Sequence, residues 1–125
     1  MHGGRLMSLA RAVPALLIVC AAALSASHSA SAEERFFAYN LTTAKVFTGV
    51  YLAPAGSEQW GANQALNDRD GSLDPSERLA IKSIAHGNFD VKLVDKKGIT
   101  CVRHGVDLSK ETTFDIRDTD LADCH

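Results

Sequence analysis

The stretch 87–98, GNFDVKLVDKKG, limits the fold of this chain more than any other. Phe89, Val91 and Leu93 alternate with Asp90 and Lys92, the period-two pattern of a strand with one buried face. Asp95-Lys96-Lys97-Gly98 then supplies turn chemistry, with Gly98 suited to the left-handed position of a short hairpin. Residues 99–102 resume an apolar, β-branched run, and Thr112-Thr113-Phe114-Asp115-Ile116 alternates again. Upstream, 36–41 and 46–52 are strand candidates rich in Phe, Tyr, Val and Thr, joined by a short polar link and ended by Pro54, Gly56 and Ser57.

The N-terminal segment sets the expected compartment. Arg5 and Arg11 precede the apolar run 12–24, AVPALLIVCAAAL, and small residues lead to Ala30-Ser31-Ala32. This predicts a secretory signal peptide over 1–32 and a periplasmic or secreted protein. The run is shorter than the ~20 residues a spanning helix needs, so no membrane span is expected after cleavage. A lipid-attachment reading at Cys20 is weaker, because Val19 stands where a small residue is wanted, and the separated arginines offer no twin-arginine signal.

Cleavage leaves residues 33–125, enough for a single domain with one small core. The chain carries 15 acidic and 13 basic residues, net −2, and every acidic residue lies beyond the signal segment. Charges of both signs are interspersed, which argues against nucleic acid or an anionic membrane as partner, since both need clustered positive charge. Cys101 and Cys124 are the cysteines that survive cleavage, and in an exported chain an even pair predicts a disulfide. A metal site using Cys124 and His125 lacks a second cysteine at ligand spacing.

Between Pro54 and Gly87 two readings compete. Asp74-Pro75-Ser76-Glu77 has the form of a helix start, with Gly87 as a possible stop, yet 78–84 also alternates as a strand would. The helical reading comes with a calcium loop. With Gly71 at the sixth position, Asp68 falls at three, Asp70 at five, Ser72 at seven, Asp74 at nine and Glu77 at twelve, as in helix-loop-helix calcium sites. Against it, the first position is Leu66, which has no side-chain oxygen, and the incoming helix EQWGANQAL carries Gly61 in its interior. No second loop pairs with it.

Asn40-x-Thr42, Trp60-Gly61, Leu73-x-Pro75-x-Glu77, Phe89-Asp90 with Asp95 and Gly98, and Val106-Asp107-Leu108 together resemble a group of small exported bacterial all-β domains without characterised function. The resemblance covers nearly all of 33–125. It implies a strand rather than a helix after Glu77, a Trp-Gly pair in a long loop, and a hairpin over the Phe-Asp segment. Members of that group often carry cysteines where this chain has Asn88 and Ser109. Their joint absence fits the loss of one bridge, with Cys101–Cys124 serving instead.

The expected fold is therefore all-β, a small single-domain sandwich of about six short strands with one long loop from 54 to 75. The alternative is an α+β domain with a helix-loop-helix segment at 58–86. Trp60, the sole tryptophan, is the candidate contact for a ligand or partner, its competing role being to fold back over a small core. His86, His104 and His125 show no metal-ligand spacing and read as solvated. Neither a Gly-x-Ser-x-Gly elbow nor a phosphate-binding glycine loop is present, so no enzyme and no cofactor is expected. The function expected is a non-catalytic binding or structural module for an extracytoplasmic protein or small ligand. The alternatives are a calcium-binding protein using Asp68, Asp70, Ser72, Asp74 and Glu77, and a small disulfide-stapled inhibitor.

Overall fold

The structure, a computed structural model, describes residues 34–125. The expected signal peptide and Cys20 lie outside the described residues. Six strands follow one another: β1 (Phe36–Asn40), β2 (Phe47–Pro54), β3 (Arg78–Ile81), β4 (Asn88–Asp95), β5 (Thr100–Asp107) and β6 (Thr113–Ile116). They form two three-stranded sheets, in the orders β3-β1-β6 and β2-β4-β5. The all-β expectation is borne out.

Alternation explains each strand. In β4, Val91 and Leu93 have no solvent exposure while Lys92 between them points outward. β5 returns through the expected turn: Gly98 adopts φ +89°, its N–H donates to the Asp95 carbonyl at 2.9 Å, and Asp95 N–H donates to the Ile99 carbonyl at 2.9 Å. The buried Asp95 carboxylate stiffens this turn by accepting from Lys97 N–H at 2.8 Å and Ile99 N–H at 3.0 Å, with Lys45 Nζ at 3.4 Å. Burial pushes this carboxyl up, but those donors outweigh it and hold the group below the usual carboxylate range.

In β1, Phe36, Ala38 and Asn40 face inward, paired antiparallel with β3 and parallel with β6. Leu79 and Ile81 of β3 and Phe114 and Ile116 of β6 complete that inner face, against Phe47, Val50, Leu52, Val91, Leu93 and Val106 of the other sheet. Leu73 and Leu108, in connecting segments, close the core at no exposure. Gly49 marks the one bulge of β2, where a Cβ would come within 2.8 Å of the Tyr51 ring and 3.1 Å of Val94. Any side chain at this position would have to displace that ring.

The helix-loop-helix alternative at 58–86 is overturned. Among the described residues the helical elements are 3-10 turns, Gln64–Asn67 and Asp118–Asp120. The capping signature at Asp74 exists locally, since Glu77 Oε1 accepts from Asp74 N–H at 2.9 Å. It does not propagate: Ser76 turns left-handed at φ +71°, and its N–H donates to the Asn40 carbonyl at 2.7 Å. Asn40 N–H in turn donates to the Glu77 carbonyl at 3.0 Å, which draws the following residues into β3 alongside β1. The strand stops at Ile81 rather than at 84, because Ser83 is left-handed at φ +63°.

The disulfide links Cys101, buried in β5, to Cys124, 23 positions further along the chain, with Cα atoms 4.1 Å apart. It fastens the final segment to the edge of β5. There Thr100 and His125 exchange two backbone hydrogen bonds of 2.8 Å, and Val102 and Ala122 exchange bonds of 2.8 and 2.9 Å.

Candidate functional site

The long loop between β2 and β3 does more than connect. Its residues 61–67, GANQALN, lie along the outer edges of both sheets and cover them with amide side chains. Asn63 Nδ2 donates to the Thr48 carbonyl at 3.0 Å, and its Oδ1 accepts from Val50 N–H at 3.0 Å, the two bonds a neighbouring strand would make. Gly61 N–H adds a third, to the Leu52 carbonyl at 2.9 Å. On the other sheet, Gln64 Nε2 donates to the Lys82 carbonyl and its Oε1 accepts from Lys82 N–H, both at 2.9 Å. Asn67 Nδ2 reaches the Ala80 carbonyl at 2.8 Å. Exposed strand edges invite pairing with other chains, and here both are satisfied internally. Sequence reading did not single out Asn63, Gln64 or Asn67.

Between this loop and the segment 82–89 opens a groove of about 730 Å3. Leu52, Ile84 and Phe89 supply its apolar surface, and Gln59, Lys82 and Asn88 are among its polar lining. Phe89, expected on the buried face of β4, is half-buried because it borders this space. A volume of this order suits a small organic ligand.

Trp60 is not among the groove's lining residues, although its neighbours Gln59 and Gly61 are. Its ring is half-buried beneath Lys92, whose Nζ lies 5.1 Å from the Trp60 ring and 4.9 Å from that of Tyr51. The tryptophan thus anchors its loop on the outer face of β2 and β4 through cation–π contact.

The acidic loop does not gather its oxygens. Asp70 Oδ1 accepts from Ser72 N–H and Oγ, both at 3.1 Å, Asp74 Oδ1 accepts from Ser72 Oγ at 3.2 Å, and Glu77 is turned onto Asp74 N–H. A hydrogen bond between the Asp68 and Asp70 side chains raises the first carboxyl and lowers the second. Among the described residues no group of three or more His, Cys, Asp or Glu side chains is placed to hold a metal ion. Leu66, at the missing first position, is 71% exposed. Thermal unfolding is expected to give the same midpoint in millimolar calcium and in chelator. A site filled at ~100 times its dissociation constant would add ~2.7 kcal/mol, raising the midpoint by more than about 10 °C, and such a rise would reinstate the calcium reading.

Two of the histidines are bonded at both ring nitrogens rather than merely solvated. His86 Nδ1 meets the Leu108 carbonyl at 2.7 Å and its Nε2 meets the Glu34 carboxylate. His104 Nε2 meets Asp123 at 2.9 Å and its Nδ1 meets Asp90 at 3.3 Å. The Leu108 carbonyl first, then Glu34, raises the His86 pKa above its ordinary value, and Asp123, followed by Asp90, raises that of His104, in each case against some desolvation. Asp90 is lowered, chiefly by Gly56 N–H, with Gly105 N–H and His104 adding to it. A raised folded-state pKa stabilises below the unfolded value of about 6.5, and that contribution is lost as pH climbs through the folded value. The unfolding midpoint is therefore expected to fall as pH rises from about 6.5 through the raised folded-state values. His86→Gln with His104→Gln should flatten that slope; an unchanged slope would refute the assignment.

Among the described residues no helix is long and apolar enough to cross a membrane. No protein-family model matches the chain, and searches of curated proteins and of solved structures find no match.

Proposed function

We propose that this domain is an exported, non-catalytic binding module whose ligand site is the groove between the 59–67 loop and the 82–89 segment. The observation that carries this reading is the groove itself, with Leu52, Ile84 and Phe89 in its apolar lining and a bordering loop that three amide side chains fix in place. The Cys101–Cys124 bridge supports an oxidising compartment, in keeping with the signal-like N-terminal segment. We also propose membership of the exported all-β group that the sequence resembles. The strand that follows Glu77 and the hairpin of β4 and β5 support it, since the resemblance implies both.

The test uses 1-N-phenylnaphthylamine, a neutral apolar dye that brightens when it leaves water. Dye uptake by the wild-type protein is expected, and Ala62→Trp, an exposed lining position, should abolish it without moving the unfolding midpoint by more than about 2 °C. Absence of uptake, or uptake that survives Ala62→Trp, would remove the groove as a binding site.

A further inference from the structure

The geometry points to an amphipathic organic anion, an apolar chain or ring system bearing a carboxylate, as the ligand class of the groove, an inference that rests on the binding-module reading above. The argument is one of charge. The domain has an acidic excess, yet no Asp or Glu lines the groove, whose ionisable lining residues are Lys82 and His86. His86 already faces the Glu34 carboxylate on its Nε2 side, so that pair adds little net charge. Lys82 differs. Among the described residues the ion pairs involve Lys45, His86, Arg103, His104 and Arg117, and none takes Lys82.

Its backbone N–H and carbonyl, moreover, are both bonded to the Gln64 amide, so this lysine stands on a fixed point of the groove lining that it shares with Ile84 and Phe89. A lining that combines one ammonium with apolar side chains matches a carboxylate with an apolar body. A cationic ligand would meet no carboxylate in the lining. An extended peptide would need strand-edge groups to pair with, and those of Thr48, Val50, Ala80 and Lys82 are occupied by Asn63, Asn67 and Gln64.

The experiment displaces the bound dye from the full chain with decanoate, decanol and decyltrimethylammonium, each below its micelle concentration. Decanoate is expected to displace at about tenfold lower concentration than either other amphiphile. Lys82→Gln should remove that preference while leaving decanol displacement unchanged, and Lys82→Arg should retain it. Equal displacement by all three, or a preference that survives Lys82→Gln, would overturn anion recognition and leave the groove as a neutral apolar site. A protein that takes up no dye would overturn both readings.

Discussion

Replacing Asn40 by alanine is expected to cost about 3 kcal/mol and to lower the unfolding midpoint by roughly 15 °C. The side chain has no solvent exposure and uses its full amide capacity. Its Nδ2 donates to the Lys45 carbonyl at 2.7 Å and to the Leu73 carbonyl at 3.0 Å. Its Oδ1 accepts from Thr42 N–H at 3.0 Å and Thr42 Oγ1 at 2.7 Å. One residue therefore ties the end of β1 to the β1–β2 link and to the acidic loop, and truncation strands several polar groups away from water. Asn40→Asp offers a stricter variant, since a carboxylate oxygen would face two carbonyls in place of the donor. Urea denaturation checks both. A cycle with Thr42→Val should reveal a coupling of about 1 kcal/mol, as expected for a shared network. A loss below about 1 kcal/mol for Asn40→Ala would mean that water replaces the amide and that the network holds little together.

The paired substitution Cys101→Ala and Cys124→Ala is expected to destabilise by about 3 kcal/mol, a large part of the roughly 5–15 kcal/mol that holds a small domain together. The damage should be local as well as global. Thr100 and Val102 donate their N–H groups to the His125 and Ala122 carbonyls, bonds that persist only while the terminal segment is held against β5. Hydrogen exchange should show those two amides losing protection to a greater degree than Val91 and Leu93 in the sheet interior. Uniform loss across the sheet would instead mean that the bridge acts on the unfolded chain alone.

Much of the fold was legible wherever one face of a strand is buried and the other wet, as with Val91 and Leu93 against Lys92, or Phe114 and Ile116 against Asp115. The turn after Asp95 was legible for the same local reason, since a left-handed glycine and a capping carboxylate are written within five residues. The site was not. Asn63, Gln64 and Asn67 have no periodicity to reveal them, and their partners lie 13 to 18 residues away on strands whose edges exist only in the folded state. His104 likewise draws Asp90 and Asp123 from 14 and 19 residues off. Asp74 to Glu77 misled in the opposite sense: the capping contact was correctly legible, but nothing local announced that Ser76 would turn left-handed to meet β1.

The placement of β1 between β3 and β6 has a consequence for how the protein is made. Among the described strands, the first in sequence takes the middle of its sheet, and its parallel partner, paired at Phe37 with Thr113, is the last. Until that partner emerges, one side of β1 has no neighbour, so the sheet closes only after almost the whole chain is available, by a contact of high sequence separation that is intrinsically slow to form. A chain truncated ahead of Thr113 is left with an open β1 edge and Ala38 and Phe36 uncovered on one flank, the kind of intermediate that aggregates.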